Sequence, residues 1–405
     1  MSPNPSSPET PPVRAAFIGA GNFISGNHLP NMARSRLWEI YAVCDINEQN
    51  LARAVERFSP RVRTADYRQL LDDPKVEVVV VGTRHDLHEK LVTECAAAGK
   101  DVFVEKPMSK TWAESESIVR AVQGAGTRLM VGYNRRFAPA MVRAKSVFLA
   151  RNRGKKALAT YRAVDDSTFW PRWPFDLKDG GGKVMSEACH FFDLMSWFFE
   201  DEPVSVQCAG GREDNNLIEV NFRGGSVACI VSGGCAHDAT GKERMEVFCD
   251  SSTVVMDQFL EVLFDGFDGV EDSRFPLSED PWPEMGEADT LAGFRRRMKR
   301  WLNQGPTEEE RKTKAYYATT PRVNKGHFEE LEAYARAIRS GQRSPCDEID
   351  GARATAMSLR AIESLEDGQK PKAIRPEDYF LPLRRPAMPS VGRVTPVRTP
   401  AATRK

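Results

Sequence analysis

Between Val13 and about Asn134, continuous apolar runs alternate with longer stretches in which apolar and polar residues mix. The apolar runs are rich in valine and isoleucine, which is typical of parallel strands that helices cover on both faces. The intervening stretches include HEKLVTECAAAGK and AESESIVRAVQGAG, which carry glycine at their ends, as helices often do. The pattern predicts a doubly wound parallel sheet over residues 13–136, with strands in VRAAFI, WEIYAVCDI, VEVVVVGT, DVFVEK and RLMVGYN.

The pattern changes beyond residue 137. A helical stretch, PAMVRAKSVFLA, precedes a strand, KALATYRAV, and a loop rich in Trp, Pro and Gly. Longer β-rich runs follow, and the pairs Gly224-Gly225 and Ser251-Ser252 are typical of hairpin turns within them. These runs predict a C-terminal α/β domain over residues 137–380 with a large, mostly antiparallel open sheet, which the helices HFEELEAYARAIRS and GARATAMSLRAIESL close.

Three segments fit neither pattern. Residues 268–322 contain an acidic stretch followed by the basic run FRRRMKRW, which predicts an insertion with one amphipathic helix. Its basic face is expected to be solvated rather than to bind a phosphate or a partner. The Pro/Ser-rich residues 1–12 and the basic, Pro-rich residues 381–405 are predicted to be disordered tails.

Charge and cysteine content narrow the classes of partner. Lys and Arg total 57 and Asp and Glu total 57, so the net charge is +0, whereas nucleic-acid binders usually carry a basic excess. No apolar run is long enough to suggest a membrane span. The 8 cysteines form no CxxC pair and are expected to be reduced thiols of a cytoplasmic protein. We therefore expect a small-molecule partner, with no nucleic acid and no membrane.

A glycine turn follows the first predicted strand. Gly19 permits the tight turn, and Gly21 allows a pyrophosphate to approach the backbone beside Asn22 and Phe23. Ile24 stands where a third glycine is usual, so the helix is expected to pack differently on the strand.

The next strand ends at Asp45. A carboxylate there accepts hydrogen bonds from both ribose hydroxyls of NAD and repels the 2′-phosphate of NADP, so NAD is the expected cofactor. The alternative is that Asp45 caps the helix that follows.

Two further strand ends complete the predicted cofactor site. Thr83 and His88 follow the VEVVVVGT strand, and Glu105 and Lys106 end the DVFVEK strand. Because ligands bind at the carboxyl ends of the strands in such sheets, Lys106 is predicted to face the cofactor and to be catalytic. The alternative is a surface ion pair with Glu105. His85 and His88 have no cysteine or histidine partners at metal-ligand spacing, so no metal site is predicted.

The run GGGKVMSEACHFFDLMSWFF predicts a buried helix because its apolar residues leave no solvent face. Glu187, His190 and Asp193 follow one another at intervals of three and share one stripe. The functional interpretation is that His190 is a general base whose basicity the two carboxylates raise. The alternative is a structural histidine between two carboxylates.

Together these segments resemble the Gfo/Idh/MocA family of sugar and polyol dehydrogenases. The resemblance rests on GAGN after the first strand, on EKP at 105–107, and on GGG followed by His190 and Asp193. TRHDLH, VGYNRRFAP and GKERMEVF are similar to a subgroup that forms the C-terminal half of bi-domain oxidoreductases. The resemblance implies a Rossmann domain, a large open sheet used for oligomerisation, and Lys106 and His190 at the reacting carbon. The family places an Asp where this chain has Ser186.

The resulting hypothesis is an NAD-dependent oxidoreductase that transfers a hydride between nicotinamide and a secondary hydroxyl of a sugar, polyol or nucleotide-sugar. Glu187 is assigned with Lys106 and His190 to catalysis. The alternatives are a non-catalytic dinucleotide-binding regulator and an NAD-using glycosidase of the same fold. A homo-oligomer is expected through the C-terminal sheet. The predicted substrate contacts are Arg135, Arg136, Tyr161, Ser186 and Asp193, with interdomain ion pairing as the alternative for the arginines.

Overall fold

The computed structural model describes residues 11–167, 171–279, 290–304 and 322–380. Its first half contains a six-stranded parallel sheet in the order β3-β2-β1-β4-β5-β6, which confirms the predicted doubly wound arrangement. Sequence analysis missed β3, because three residues carry too little pattern. The strands are β1 (Val13–Ile18), β2 (Trp38–Cys44), β3 (Val62–Thr64), β4 (Val78–Val81), β5 (Asp101–Val104) and β6 (Leu129–Val131).

Helices connect these strands. The strands they flank are buried along almost their whole length, as expected for a sheet covered on both faces. Gly99 and Gly126 have φ values of +72° and +68° beyond two of the helices, which confirms the predicted glycine ends. The helices are α1 (Leu29–Arg34), α2 (Glu48–Phe58), α3 (Arg68–Asp72), α4 (His88–Ala97) and α5 (Trp112–Ala125).

A nine-stranded sheet follows, in the order β14-β13-β12-β11-β7-β10-β9-β8-β17. All neighbours are antiparallel except β7 and β10, which confirms the predicted mostly antiparallel sheet. Its strands are β7 (Leu158–Val164), β8 (Pro203–Gly210), β9 (Asn216–Phe222), β10 (Val227–Gly233), β11 (Glu243–Cys249), β12 (Ser252–Asp257), β13 (Glu261–Asp265), β14 (Ser273–Arg274) and β17 (Lys372–Ala373).

Helices cover one face of this sheet. Aromatic pairs fix the contact: Phe191 stacks on Tyr161 with ring centroids 4.9 Å apart, and Phe199 meets Phe222 edge-on at 5.2 Å. The other face leaves apolar side chains exposed, among them Leu158, Leu217, Val231, Phe248 and Leu263. The helices on this face are α6 (Pro139–Asn152), α7 (Cys189–Phe199) and α10 (Glu348–Glu366). The helix α9 (His327–Arg339) packs instead on the first half, where the Tyr334 hydroxyl donates to the Val102 carbonyl oxygen.

The predicted insertion contains an amphipathic helix, α8 (Leu291–Gln304), and the short strands β15 (Leu277–Glu279) and β16 (Arg322–Val323), which pair with each other. The apolar side of α8 is buried against Leu260, so this helix is solvated on only one side. Residues 280–289 and 305–321 lie outside the described part. The predicted tails lie outside it too, apart from residues 11 and 12. Among the described residues, no helix combines the length and the apolar character needed to cross a membrane.

Candidate active site

The glycine turn follows β1 and has the geometry that a dinucleotide requires. Gly19 has a φ of +93°, and a Cβ there would lie 2.6 Å from the carbonyl oxygen of Gly82, so no other residue fits without displacement. A Cβ on Gly21 would meet nothing within 4 Å, so the backbone there faces open space. Asn22 and Phe23 are exposed beside it. The turn can therefore receive a pyrophosphate at the start of a helix.

The missing third glycine is compensated on the neighbouring strand. Ile24 is buried, and its side chain fills the space above Gly82, where a Cβ would lie 2.2 Å from the Ile24 Cδ1. Gly82 directly follows β4. The glycine that permits close packing therefore lies at the end of this strand and not on the helix. The helix therefore packs on the strands through the Ile24 side chain and Gly82, and not through a third glycine of the turn.

Asp45 connects the end of β2 to the glycine turn. Its Oδ2 accepts a hydrogen bond from the Ala20 amide at 2.8 Å, and its Oδ1 accepts one from the Asn47 amide at 2.7 Å. Asn47, not Asp45, caps α2, because its side chain accepts the amides of Gln49 and Asn50. The alternative role of Asp45 as the helix cap is therefore wrong.

Lys106 follows β5 and reaches the other half of the molecule. Its Nζ donates to the Ser186 carbonyl oxygen at 2.8 Å and lies 3.4 Å from Glu187 Oε2. Glu105 instead accepts a 2.5 Å hydrogen bond from His28 Nε2. The alternative of a surface ion pair between Lys106 and Glu105 is therefore wrong, and Lys106 links the end of β5 to the helical segment that precedes α7.

His190 lies one turn along the helical segment that Lys106 contacts. It is 3% exposed, and its Nδ1 has no hydrogen-bond partner among the described residues. Burial, followed by the charges of Arg135 and Lys106, holds its pKa well below 6.5, and Glu187 opposes this only in part. The expectation that carboxylates raise the basicity of His190 is wrong, because burial and then the nearby cations outweigh Glu187 and lower the pKa.

Glu187 is the centre of an ion-pair cluster. Its Oε1 lies 2.6 Å from Lys242 Nζ and 3.3 Å from the Arg135 guanidinium, and its Oε2 faces Lys106. Burial raises the pKa of this carboxyl, but Lys242, Lys106 and Arg135 together hold it well below 4.5. Glu187 therefore stays ionised and orients cations rather than exchanging protons.

Glu243 forms the second centre of the same cluster. It accepts hydrogen bonds from Arg135 Nε at 2.7 Å, from Lys325 Nζ at 2.7 Å and from the Tyr161 hydroxyl at 2.5 Å. Tyr161 is completely buried, so it does not fit the predicted substrate contact. Arg135 is 4% exposed, and its guanidinium pairs with Glu187, which in turn faces Lys106.

Arg136, Asp193 and His88 also do not fit their predicted ligand contacts. The Arg136 guanidinium forms a two-pronged ion pair with Asp193 and lies 3.1 Å from Asp350, and the side chains of Arg136 and Asp193 are only 5% and 1% exposed. Asp193 therefore serves Arg136 and not His190. His88 is fully buried and donates from Nδ1 to the Pro107 carbonyl oxygen at 2.8 Å, so it supports the segment after Lys106. Thr83 stays partly exposed at the strand end.

Sequence reasoning missed Lys242, Lys325, Glu243 and His28. Lys242 and Glu243 stand in the GKERMEVF motif, which carried the resemblance, but neither residue was assigned a role. His28 gave no signal, because its partner is 77 residues away. The described residues contain no group of three or more His, Cys, Asp or Glu side chains arranged to hold a metal ion.

Comparisons with known proteins agree with this fold. A family model described as "Oxidoreductase family, NAD-binding Rossmann fold" matches residues 13–133, and one described as "Oxidoreductase family, C-terminal alpha/beta domain" matches residues 155–373. Myo-inositol 2-dehydrogenase of Thermotoga maritima is 24% identical over 372 residues, which cover 89% of this chain and 98% of the relative.

The uncharacterized oxidoreductase YrbE of Bacillus subtilis is 25% identical over 370 residues, which cover 89% of this chain and 96% of the relative. The crystal structure of the WlbA dehydrogenase from Bordetella pertussis, in complex with NADH and UDP-GlcNAcA, superposes with a TM-score of 0.69 at 19% identity. That match covers 90% of this chain and 98% of the other. Two family models spanning most of the chain show that this protein belongs to the Gfo/Idh/MocA family of NAD-binding oxidoreductases.

Proposed function

We propose that this protein transfers a hydride between NAD and a carbon bearing a secondary hydroxyl on a sugar, polyol or nucleotide-sugar. The observation that carries the proposal is the contact of Lys106 Nζ with the Ser186 carbonyl, four residues before His190. That contact brings the ammonium group from the first sheet to the helix that bears a buried imidazole. The dehydrogenases of inositol among the relatives support the substrate class.

The nucleotide half of the site would hold NAD, which supplies the hydride acceptor. The open backbone at Gly21 would receive the pyrophosphate. Asp45 would bind the ribose through Oδ1, which accepts only the Asn47 amide, whereas Oδ2 already accepts from the Ala20 amide and from Asn50 Nδ2. Ile46 beside it is 91% exposed and offers an apolar surface for the adenine. A 2′-phosphate would meet the Asp45 charge, so NAD is expected to bind more tightly than NADP. Comparing the two dissociation constants, with Asp45→Ala as the variant, checks this.

Lys106 and His190 would act on one oxygen. During oxidation, the C–H bond electrons leave as hydride while the hydroxyl proton passes to His190, and the C–O bond becomes a carbonyl. A base must be unprotonated at the start, and the lowered pKa of His190 keeps the imidazole neutral. Lys106 would donate a hydrogen bond to the same oxygen and stabilise the negative charge that develops there.

Ser186 would hydrogen-bond a second substrate hydroxyl. Its Oγ is buried and has no partner among the described residues, and a buried polar atom of this kind favours a ligand group. Position 186 therefore offers a neutral donor and acceptor where the family pattern has a carboxylate.

The test of the function is hydride transfer across a panel of polyols, aldoses, sugar acids and nucleotide-sugars, followed through NADH formation. Turnover of one class that Lys106→Met abolishes, with NAD affinity retained, is the expected result. Binding of NAD without turnover of any compound, and identical behaviour of the variant, would contradict the proposal and favour the regulator.

We also propose a homo-oligomer through the open face of the nine-stranded sheet. Leu217 and Leu158 on this face are 53% and 52% exposed, and adjacent strands add Val231 and Phe248. Apolar side chains clustered on one exposed sheet face favour burial against another chain. The mass in solution tests this: Leu217→Glu combined with Phe248→Glu should yield monomers.

A further inference from the structure

Two buried histidines hold the short segment of residues 105–107, from which the Lys106 side chain projects. His28 and His88 are both 0% exposed. His28 directly precedes α1 and His88 is the first residue of α4, so the rings belong to the helical segments that follow β1 and β4. These two strands and β5, which ends just before Glu105, are neighbours in the order β1-β4-β5. Both histidines therefore reach the segment from adjacent strand ends.

His28 holds the segment through Glu105. Its Nε2 donates to Glu105 Oε1 at 2.5 Å, and Glu105 Oε2 accepts the Lys106 amide at 3.2 Å. The imidazole is packed edge-on against Phe103, with ring centroids 5.0 Å apart. The carboxylate lies close to Gly132, where a Cβ would be 3.0 Å from Glu105 Oε1. Glu105 thus connects a closely packed ring to the backbone of Lys106.

His88 holds the other end of the segment and uses its other ring nitrogen. Its Nδ1 donates to the Pro107 carbonyl oxygen at 2.8 Å. Burial lowers the pKa of His88, so the ring is neutral and its single N–H is the one on Nδ1. His28 donates from Nε2 and His88 from Nδ1, so the two positions require an N–H at different places on the ring.

The placement of this segment decides where the Lys106 ammonium group can reach. The lysine side chain is a flexible four-carbon chain, and in this structure its Nζ contacts the Ser186 carbonyl oxygen at 2.8 Å. A catalytic group that is displaced by about 1 Å can lose about a hundredfold in rate, so the residues that support it matter. A buried imidazole is costly where an apolar side chain would fill the space, and His28 Nδ1 has no hydrogen-bond partner among the described residues. A role in placing Lys106 gives a reason for that cost.

We propose that His28 and His88 are positioning residues that hold the Lys106 backbone so that its ammonium group meets the reacting oxygen. This inference rests on the proposed function, which gives Lys106 its role. The histidines act through Glu105 and through the Pro107 carbonyl, and not by contact with the substrate. Their loss should therefore lower kcat and leave KM and the NAD affinity nearly unchanged.

Matched amide variants test the positioning. The side-chain nitrogen of glutamine takes roughly the place of histidine Nε2, and that of asparagine roughly the place of Nδ1. His28→Gln and His88→Asn should therefore keep most of kcat, whereas His28→Asn and His88→Gln should lower it by about tenfold to a hundredfold. KM and the NAD dissociation constant should change by less than about threefold. Steady-state kinetics on a compound that the wild type oxidises, together with NAD titration, measure these values.

Two controls separate positioning from a loss of packing. In a protein that already carries Lys106→Met, His28→Asn should lower the residual turnover by less than about twofold, because the group through which it acts is absent. Met32→Ala removes a core side chain, 1% exposed on α1, without touching the segment. It should lower the melting temperature and leave kcat in place. If the variants at one histidine do not fold, the pair at the other still decides.

The predicted order of the two amides is opposite at the two positions. The same amide performing better at both, or wild-type kcat in all four variants, overturns the positioning role and leaves the dehydrogenase. An undiminished effect of His28→Asn in the Lys106→Met protein, or an equal loss of kcat in Met32→Ala, does the same. A wild-type protein that oxidises no compound of the panel instead overturns the proposed function, and this inference with it.

Discussion

Arg135 and Arg136 are neighbours on one turn, yet they serve two different kinds of ion-pair cluster. Both are at least 95% buried. Arg136 pairs with Asp193, whose side chain is 1% exposed, and with Asp350, which Arg353 also contacts. Arg135 shares Glu187 and Glu243 with three lysines that solvent reaches.

The comparison teaches that burial of an ion pair does not by itself mark a functional site. Both clusters contain strongly shifted groups, and structural networks shift pKa values as active sites do. The Arg135 cluster differs in its three lysines and in the polar atoms of Ser186 and His190 beside it, which have no hydrogen-bond partner among the described residues. Substitutions should therefore affect catalysis in one cluster and stability in the other.

Lys106→Met is expected to have the largest effect. Loss of the ammonium group should lower kcat by about a hundred- to a thousandfold, because the donor acts on charge that develops during reaction. NAD affinity and melting temperature should change little. Steady-state kinetics measure kcat, and NAD titration measures the affinity for NAD. Lys155→Met is the control, because Lys155 is 42% exposed and pairs with Asp250 away from this cluster. A variant that keeps its turnover would break the assignment of this cluster to catalysis.

Arg136→Met should instead destabilise the fold. Removing the guanidinium leaves the buried Asp193 carboxylate without its ion-pair partner, at a cost of about 3–5 kcal/mol in the free energy of unfolding, while Asp350 keeps Arg353 at 2.8 Å. Urea denaturation measures this. Arg336→Met is the control, since Arg336 is 66% exposed and pairs with Glu332 one turn away, so its loss should cost at most about 1 kcal/mol. A stable Arg136→Met protein with lost turnover would reverse the comparison.

The sequence predicted what is encoded locally. Both sheets and the glycine turn at Gly19 follow from patterns within a few residues of each position. The roles of Lys106 and His190 stay predictions. The Ile24 and Gly82 pair was not predicted, because the residue that makes room lies on another strand.

The charge clusters could not be predicted for the same reason. Arg135 and Glu243 are 108 residues apart, and Lys325 and Glu243 are 82 apart. Sequence spacing placed Asp193 on the same helix stripe as His190, but in the structure its carboxylate accepts a hydrogen bond from Arg136. The sequence does not show that the Tyr161 hydroxyl donates its hydrogen bond to Glu243, so a substrate contact was predicted instead.

Ser186→Asp sharpens the difference between the clusters through charge. A carboxylate at this position would repel an acidic substrate, which should raise KM for a sugar acid by at least about tenfold. Ser186→Asn is the matched control of similar size without charge, and it should raise KM less. Initial-rate measurements on the acid and on the neutral sugar that lacks its carboxylate separate the charge effect from crowding. An unchanged KM for the acid would show that the site does not sense the added charge.

The smallest expected effect is a shift in the pH profile. His190 must be neutral to accept a proton, and burial together with nearby cations keeps its pKa well below 6.5. The acid limb of kcat/KM for oxidation should therefore lie below 6.5, the ordinary histidine value. Lys242 is one of the cations that disfavour the imidazolium, so Lys242→Met should raise the pKa of His190. Protonation would then inactivate the base at a higher pH, and the limb should move upward. Lys242→Arg should leave the limb in place. A limb that stays fixed or moves downward in Lys242→Met would mean that the Arg135 cluster does not govern this histidine.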